Sequence, residues 1–159
     1  MPVAFTKVKL PNGWLGNMAA FPLTYEGVEW RTPEALFQAL RFSDTRIREE
    51  IRLERSPMGA KMVAKRHASE MTVVPTSGAD LDLMEKVLRL KLEQHPQLIQ
   101  DLLATGDEVI IEDVSGRPSG GRHVFWGMSQ ATGEWVGENA LGKIWMKLRE
   151  ELKHGRSSL

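Results

Sequence analysis

The chain has 159 residues, of which 42% are hydrophobic and 26% charged, and its formal net charge at pH 7 is zero. This length and composition predict one globular domain, 1–159, with a sizeable core. The balanced charge gives no general electrostatic argument for binding nucleic acid or an anionic membrane. The lack of cysteine excludes a disulfide framework, a thiol nucleophile and a thiolate metal site.

The chain shows no pattern typical of export or membrane insertion. Residues 1–7 lack the basic start and the apolar core of a secretory signal. No segment approaches the run of about 20 apolar residues that a membrane span needs. We therefore expect a soluble, cytoplasmic protein, with a frayed tail over 153–159.

Short strands and turns are predicted for the first 30 residues. A strand is expected within 3–9, followed by a turn at Pro11-Asn12-Gly13. A hairpin is expected over 23–30, because Gly27 supplies the positive φ that a tight turn needs. Between them, Asn17 is the single strongly polar side chain of an apolar run. Two roles for the Asn17 amide are about equally favoured: it hydrogen-bonds the backbone of its own loop, or it binds a ligand.

A helix is predicted to begin after Thr32, since Thr32 can cap the first free amides and Pro33 suits the first helical position. Glu34, Gln38 and Arg41 recur along it at i, i+4 and i+7. Such a polar stripe forms either a solvated face or the wall of a pocket. Spacing alone favours the solvated face, because amphipathic surface helices are common.

Four further helices are predicted between 44 and 106. The first runs from Asp44 to about Leu53 with Ile47 and Ile51 buried, and the second follows Ser56-Pro57 with Met58, Met62 and Val63 facing inward. The third is capped by Asp80 and ends near Gln94. The fourth follows His95-Pro96, buries Leu98, Ile99, Leu102 and Leu103, and ends at Gly106. The basic cluster of the second of these, Lys61, Lys65, Arg66 and His67, is read as a solvated face more readily than as a phosphate site.

Lys91 lies in the apolar stripe of the helix after Asp80. A lysine at such a place most often extends its ammonium group to solvent. If the ammonium is instead desolvated, its pKa falls and the amine becomes a candidate nucleophile.

The C-terminal third predicts one strand, a glycine-rich loop and a final helix. Residues 108–112 read as a strand that ends at Glu112, and 115–121 as a loop without a phosphate-binding pattern. Segments 124–127 and 135–137 are short strands or aromatic loops. Asn139 is expected to cap a helix whose core face comprises Leu141, Ile144, Trp145, Leu148 and Leu152. The whole pattern predicts a predominantly helical α+β fold with a few short strands.

Eight motifs over 14–152 resemble, in the same order, those of the YbiA-like or NADAR family. They are Leu15-Gly16-Asn17-Met18, Trp30-x3-Glu34-x2-Phe37-Gln38-Ala39-x-Arg41-Phe42, Ser56-Pro57-Met58, Lys91-x2-Gln94-His95-Pro96, Leu102-Leu103-Ala104-Thr105-Gly106-Asp107, Ile111-Glu112, Phe125-Trp126-Gly127 and Gly137-x-Asn139-x-Leu141-Gly142-x3-Met146-x-Leu148-Arg149. The resemblance implies a single compact, mainly helical α+β domain that acts as an N-glycosidase on ribosylated heterocycles. The implied substrates are a phosphoribosylamino-pyrimidine of riboflavin biosynthesis or ADP-ribose attached to guanine. No metal or other cofactor is expected, no membrane partner, and no stable nucleic-acid binding.

The resemblance also implies which residues line the cleft. The catalytic candidates are Glu34, Lys91 and Glu112, and the substrate-binding candidates are Asn17, Trp30, Gln38, Arg41, Trp126, Gly137 and Asn139. Cleavage of a C1′–N bond builds positive charge on the sugar, so we expect Glu34 near C1′, with Glu112 as the alternative carboxylate. Lys91 could instead form a Schiff base with the opened sugar.

Stacking on the base is expected from Trp30 or Trp126. Arg41, Lys61 and Lys65 are candidates for binding phosphate.

Three positions depart from the family pattern. Arg41 replaces a common lysine, and an arginine stays protonated and cannot form an imine. Ala35 replaces the histidine after Glu34, and His123 replaces an aspartate. These departures motivate an alternative function, a non-catalytic module that binds ADP-ribose or a similar nucleotide-like ligand. A third hypothesis is an interaction domain whose polar stripe is only surface.

Overall fold

A computed structural model describes residues 1–118, 123–130 and 132–155. Within these ranges the chain forms seven α-helices and six short strands, which confirms the predominantly helical α+β fold class. In chain order they are β1 (Val3–Phe5), β2 (Leu23–Tyr25), β3 (Val28–Trp30), α1 (Pro33–Leu40), α2 (Thr45–Leu53), α3 (Pro57–Arg66), α4 (Gly78–Gln94), α5 (Gln97–Ala104), β4 (Ile110–Glu112), α6 (His123–Trp126), β5 (Ser129–Gln130), β6 (Trp135–Val136) and α7 (Ala140–Lys153).

The chain packs as two compact units. The central unit is Asn17–Gln94, and the terminal unit combines Met1–Gly16 with His95–Leu159. The single domain 1–159 stays a prediction. None of the helices in the described ranges combines the length and the hydropathy that crossing a membrane requires.

In the central unit, α1 packs against α2, α3 and α4. The antiparallel hairpin of β2 and β3 leads into α1, and Gly27 adopts the predicted positive φ in its turn. Glu26 also has a positive φ, which was not predicted. The predicted start of α1 is also confirmed, since the Thr32 hydroxyl accepts a hydrogen bond from Ala35 N at 3.1 Å.

Two predictions for α3 and α4 are wrong. Met58 and Met62 are exposed, and α3 buries Ala60, Val63 and Ala64, because these three positions share the face that packs on α1 and α2. Asp80 does not cap α4, which begins two residues earlier at Gly78. Asp80 is fully buried inside the first turn. On α5, Leu98 and Leu102 are buried as predicted, whereas Ile99 and Leu103 are only half-buried.

In the terminal unit, β1 and β4 form a parallel pair with Phe5 opposite Glu112. Helix α7 packs on β4 and is contacted by α5 and α6. Trp145 of α7 is fully buried, and its indole Nε1 donates to Leu15 O at 3.0 Å. This hydrogen bond satisfies the one polar atom of a large apolar side chain in the core.

Local geometry corrects two further expectations. Residues 123–126 form the short helix α6 instead of a strand or an aromatic loop. Of the predicted glycine-rich loop, 115–118 is irregular backbone, and 119–121 lies outside the described residues. Of the predicted frayed tail, Lys153 still belongs to α7, and 156–159 lies outside the described residues.

Candidate functional site

In the polar stripe of α1, Gln38 and Arg41 are buried and Glu34 is half-buried, so the favoured solvated-face interpretation is wrong. Gln38 is 5% exposed and Arg41 is 6% exposed. Arg41 Nη1 donates to Gln38 Oε1 at 3.3 Å, and Gln38 Nε2 donates to Glu34 Oε2 at 2.7 Å. Because residues three and four apart lie on one side of a helix, the three side chains link along the axis toward the start of α1.

The stripe continues onto α4 through Asp80. Arg41 Nε and Nη2 donate to the two carboxylate oxygens of Asp80 at 2.8 and 2.6 Å, a bidentate pair. Asp80 is fully buried, and the Arg41 guanidinium lies 4.3 Å from the centroid of the Phe37 ring. Sequence reasoning missed this pair, because it assigned Asp80 to a helix cap. The phosphate-binding role expected of Arg41 stays a prediction.

Two buried polar atoms lie near the start of α1. Asn17 O accepts from Glu34 N at 3.0 Å, and Asn17 Nδ2 donates to Met84 Sδ of α4 at 2.9 Å. Asn17 Oδ1 and Trp30 Nε1 have no hydrogen-bond partner within the part of the chain that the structure describes, and both residues are 6% exposed. Because buried polar groups are nearly always paired, an unpaired acceptor and an unpaired donor indicate places where a ligand can bind.

Lys91 is completely buried on α4. The expectation that its ammonium reaches solvent is therefore wrong, and the desolvated alternative holds. Its Nζ lies 5.2 Å from the centroid of the Phe21 ring, and burial lowers the pKa of the Lys91 amine to about 7. A large fraction of the amine is thus unprotonated at neutral pH, the form that can act as a nucleophile.

Glu112 lies at the end of β4 in the terminal unit. Its side chain is 15% exposed, and Oε2 lies 3.8 Å from Arg117 Nη2. The strand is held by the Asn139 amide, which accepts from Glu112 N at 3.2 Å and donates to Ile110 O at 2.9 Å. Asn139 precedes α7 as predicted, but it adopts a left-handed conformation with φ 54° and its side chain does not cap the helix.

Glycines allow the backbone to approach β4 closely. A Cβ at Gly142 would lie 2.1 Å from Ile110 O, and a Cβ at Gly127 would lie 2.4 Å from Glu112 O. Gly137 has φ +140°, and its Cβ would lie 2.6 Å from Gly127 O. These positions therefore require glycine for packing, whatever else they do.

The other sequence candidates lie at the surface or beside it. Lys61 and Lys65 are exposed on α3. Trp126 is half-buried at the end of α6, where it makes an edge contact with Phe125 at a centroid distance of 5.1 Å. His123 hydrogen-bonds Pro118 O.

The structure thus groups the predicted residues in two sets. The central set is Asn17, Trp30, Glu34, Gln38, Arg41 and Lys91, to which Asp80 is added, and the terminal set is Glu112, Trp126, Gly137 and Asn139. That the two sets line one cleft stays a prediction. No cluster of three or more histidine, aspartate or glutamate residues in the described ranges is placed to hold a metal ion.

Comparisons with known proteins give a consistent result. The model of the NADAR domain matches residues 4–153. The N-glycosidase YbiA of Escherichia coli (strain K12) is 36% identical over 140 residues, which are 88% of this chain and 81% of that protein. The NMR structure of the E. coli protein YbiA has a TM-score of 0.78 and 32% identity and covers 100% of this chain and 90% of that one. The riboflavin biosynthesis protein VVA0006 of Vibrio vulnificus (strain YJ016) is 29% identical over 153 residues, which are 96% of this chain and 39% of that protein.

Proposed function

Since the chain belongs to the NADAR domain family and is an N-glycosidase, we propose that it hydrolyses the bond between C1′ of a ribose and a nitrogen of a heterocycle or of its amino substituent. The proposed substrate is a phosphoribosylamino-pyrimidine, an intermediate of riboflavin biosynthesis. The name of the Vibrio vulnificus relative supports this choice. ADP-ribosyl-guanine is the second candidate.

One observation supports the assignment of Glu34 above all. A buried chain of side chains ends at the Glu34 carboxylate, which is itself only half-buried and accepts a hydrogen bond from Gln38. Glu34 also lies in the first turn of α1, where the helix dipole favours negative charge. As the C1′–N bond breaks, positive charge develops on the sugar, and an ionised carboxylate in a fixed position stabilises it.

Lys91 provides a covalent route to the same products. Its unprotonated amine attacks C1′ and the C1′–N bond breaks, and the leaving nitrogen takes up the proton that the attached amine releases. The sugar ring then opens to an imine, and water hydrolyses this imine to release the sugar and restore the Lys91 amine. Arg41 cannot replace it, because a guanidinium stays protonated. In the route without an amine, water attacks C1′ directly, and Glu34 orients the water. Glu112 is the alternative carboxylate for that role.

The remaining candidates are proposed to bind substrate. Asn17 Oδ1, buried without a partner in the described residues, is an acceptor for a hydroxyl or amino group. Trp30 Nε1 is the matching donor. The other members of the proposed binding set are Gln38, Arg41, Trp126, Gly137 and Asn139.

The first test is a direct assay. The protein is incubated with a phosphoribosylamino-pyrimidine and, separately, with an oligonucleotide that carries ADP-ribosyl-guanine, and the released base and sugar are measured. We expect Glu34→Gln to lose activity on the cleaved substrate. Glu85→Gln, the same change on a half-buried carboxylate of α4, is the control that should stay active. Full activity of Glu34→Gln would remove its catalytic role.

The second test separates the two routes. Borohydride added during turnover reduces an imine to a stable adduct, whose mass and position a digest reveals. An adduct on Lys91 that is absent in Lys91→Met supports the covalent route. Turnover by Lys91→Met at the normal rate, with no adduct in the normal chain, supports direct attack by water.

Two earlier hypotheses are set aside. The non-catalytic module does not agree with curated relatives that are named N-glycosidases. The interaction domain required Gln38 and Arg41 to lie in solvent, and both are buried.

A further inference from the structure

We infer that Asp80 is a positioning residue for the reaction, which orients the Glu34 carboxylate through Arg41 and Gln38. The inference rests on the proposed catalytic role of Glu34. It adds to the site a residue that lies 46 positions further along the chain and belongs to none of the motifs above.

In the series of hydrogen bonds from Asp80 through Arg41 and Gln38 to Glu34, the chemistry of each group determines which atom donates. A guanidinium can only donate, so Gln38 must present its carbonyl oxygen Oε1 to Arg41 Nη1. The Gln38 NH₂ group then has to face Glu34, and it donates to Oε2 at 2.7 Å. Gln38 would lose this fixed orientation without Arg41, because its two amide ends are nearly equal in shape.

Asp80 in turn determines where the guanidinium lies. Its two oxygens accept from Arg41 Nε and Nη2, and this planar fork leaves Nη1 directed at Gln38. Asp80 Oδ2 also accepts from Thr76 N at 2.9 Å, and Asp80 N donates to Ser77 Oγ at 3.3 Å. The carboxylate is therefore fixed by the segment that precedes α4.

The same segment fixes the other end of Arg41. Arg41 O accepts from Thr72 N at 2.8 Å and from the Thr72 hydroxyl at 3.1 Å. Both the backbone and the guanidinium of Arg41 are thus held, and the aromatic face of Phe37 lies against the guanidinium. Because these groups are buried, no water competes for their hydrogen bonds, and a displacement at Asp80 is passed on to Gln38.

A purely structural role explains less of this arrangement. A buried ion pair is weak evidence for stability, since two apolar residues of similar volume often serve equally well. The chain of donors also ends on one oxygen of Glu34. Its other oxygen, Oε1, has no hydrogen-bond donor among the described residues and is left for the substrate.

The experiment compares three single variants of the full chain on whichever substrate the wild type cleaves. Asp80→Asn removes the charge that holds Arg41, and Gln38→Met breaks the link to Glu34 while it keeps the ion pair. Glu85→Gln, the same type of change on α4, is the control. We expect about a 10-fold to 100-fold fall in kcat for both Asp80→Asn and Gln38→Met. KM should be nearly unchanged in Asp80→Asn, and the control should show no change in either constant.

A double-mutant cycle tests whether Asp80 acts through Glu34. In the Glu34→Gln background, Asp80→Asn should cause no further loss of kcat, because the group that it positions is already absent. Additive losses would overturn the inference, and so would a normal kcat in folded Asp80→Asn or Gln38→Met. An active Glu34→Gln would instead overturn the proposed function of Glu34, so the two failures are distinguishable.

A folding control completes the design. Thermal unfolding of each variant shows whether the protein is folded at the assay temperature. If Asp80→Asn does not fold, Asp80→Glu replaces it: a glutamate keeps the charge opposite Arg41, but its additional methylene moves the carboxylate and so displaces the guanidinium from Gln38. The same loss of kcat is then expected, and a normal kcat in Asp80→Glu overturns the inference.

Discussion

The two candidate carboxylates are held in place by different means. In the central unit, Glu34 is fixed by side chains, since Gln38, Arg41 and Asp80 form a buried chain that ends at its oxygen. In the terminal unit, the backbone of Glu112 is bonded to the Asn139 amide, and its carboxylate lies 3.8 Å from Arg117 Nη2. The position of Glu34 therefore depends on the charges and hydrogen-bond directions of its neighbouring side chains. The position of β4 depends instead on the close approach of backbone segments, and so on the volume of the residues beside it.

The two units should therefore fail under different substitutions. Isosteric changes of charge should disturb the central unit, because they reverse or remove a donor in a buried network. Added volume should disturb the terminal unit, because Gly127, Gly137 and Gly142 leave no room for a Cβ. Four predictions test this contrast.

The largest effect is expected from the carboxylates themselves. Glu34→Gln should reduce kcat by about 1,000-fold, because it removes the charge opposite the developing cation. Glu112→Gln should reduce kcat only about 10-fold, as fits the alternative carboxylate. Steady-state kinetics of both variants on the cleaved substrate measures the two losses. A larger loss in Glu112→Gln would reverse the assignment of roles.

The next effect is steric and belongs to the terminal unit. Gly142→Ala places a Cβ 2.1 Å from Ile110 O and 2.6 Å from Asn139 Oδ1, so either β4 or α7 has to move. We expect a loss of about 3 kcal/mol in the free energy of unfolding, measured in urea.

Gly78→Ala in the central unit is the matched control. A Cβ at Gly78 would have no heavy atom within 4 Å, and the position lies in the first turn of α4. We expect a change within about 0.5 kcal/mol or a slight gain in stability. Equal losses in the two variants would contradict the steric explanation.

A third prediction concerns the buried amine of the central unit. Burial lowers the pKa of Lys91 from 10.5 to about 7, so between these pH values the unfolded chain binds more protons than the folded chain. The free energy of unfolding should therefore rise with pH over this window, by up to about 1.4 kcal/mol per pH unit from this group.

The measurement is the difference between the normal chain and Lys91→Met in urea unfolding from pH 7 to pH 9.5. The free energy of unfolding of the wild type should increase relative to that of Lys91→Met as pH rises. A difference that is constant over this range would show that the amine is not desolvated.

The smallest effect is expected from a surface cluster of the central unit. The pKa of His67 is raised by its hydrogen bond to Glu50 and then by that to Glu70. The stabilisation is thus fully present below the ordinary value near 6.5 and is lost as pH rises through the raised pKa of the folded state.

His67→Gln should therefore remove a small stabilisation at pH 5 and almost none at pH 9. Thermal unfolding of the two proteins at both pH values measures it. The effect is expected to be small, because exposed ion pairs contribute little to stability. An equal decrease at both pH values would indicate lost packing instead of lost charge.

Local signals in the sequence were sufficient for most elements. The start of α1 at Thr32-Pro33 and the hairpin turn at Glu26-Gly27 follow from side-chain capping and positive φ, which act over a few residues. The short helix α6 was missed, because four residues carry no helical period.

The burial and pairing of the site residues could not be predicted from local signals. The sequence by itself identified Glu34, Gln38 and Arg41 as a polar stripe and Lys91 as a lysine within an apolar helix face. The order of the motifs identified the family. Only the tertiary structure decided that Gln38, Arg41 and Lys91 are buried and that Asp80 is the partner of Arg41. The physical reason is that burial and pairing depend on which elements pack together, and a helical period shows that a residue shares a face but not what lies opposite it.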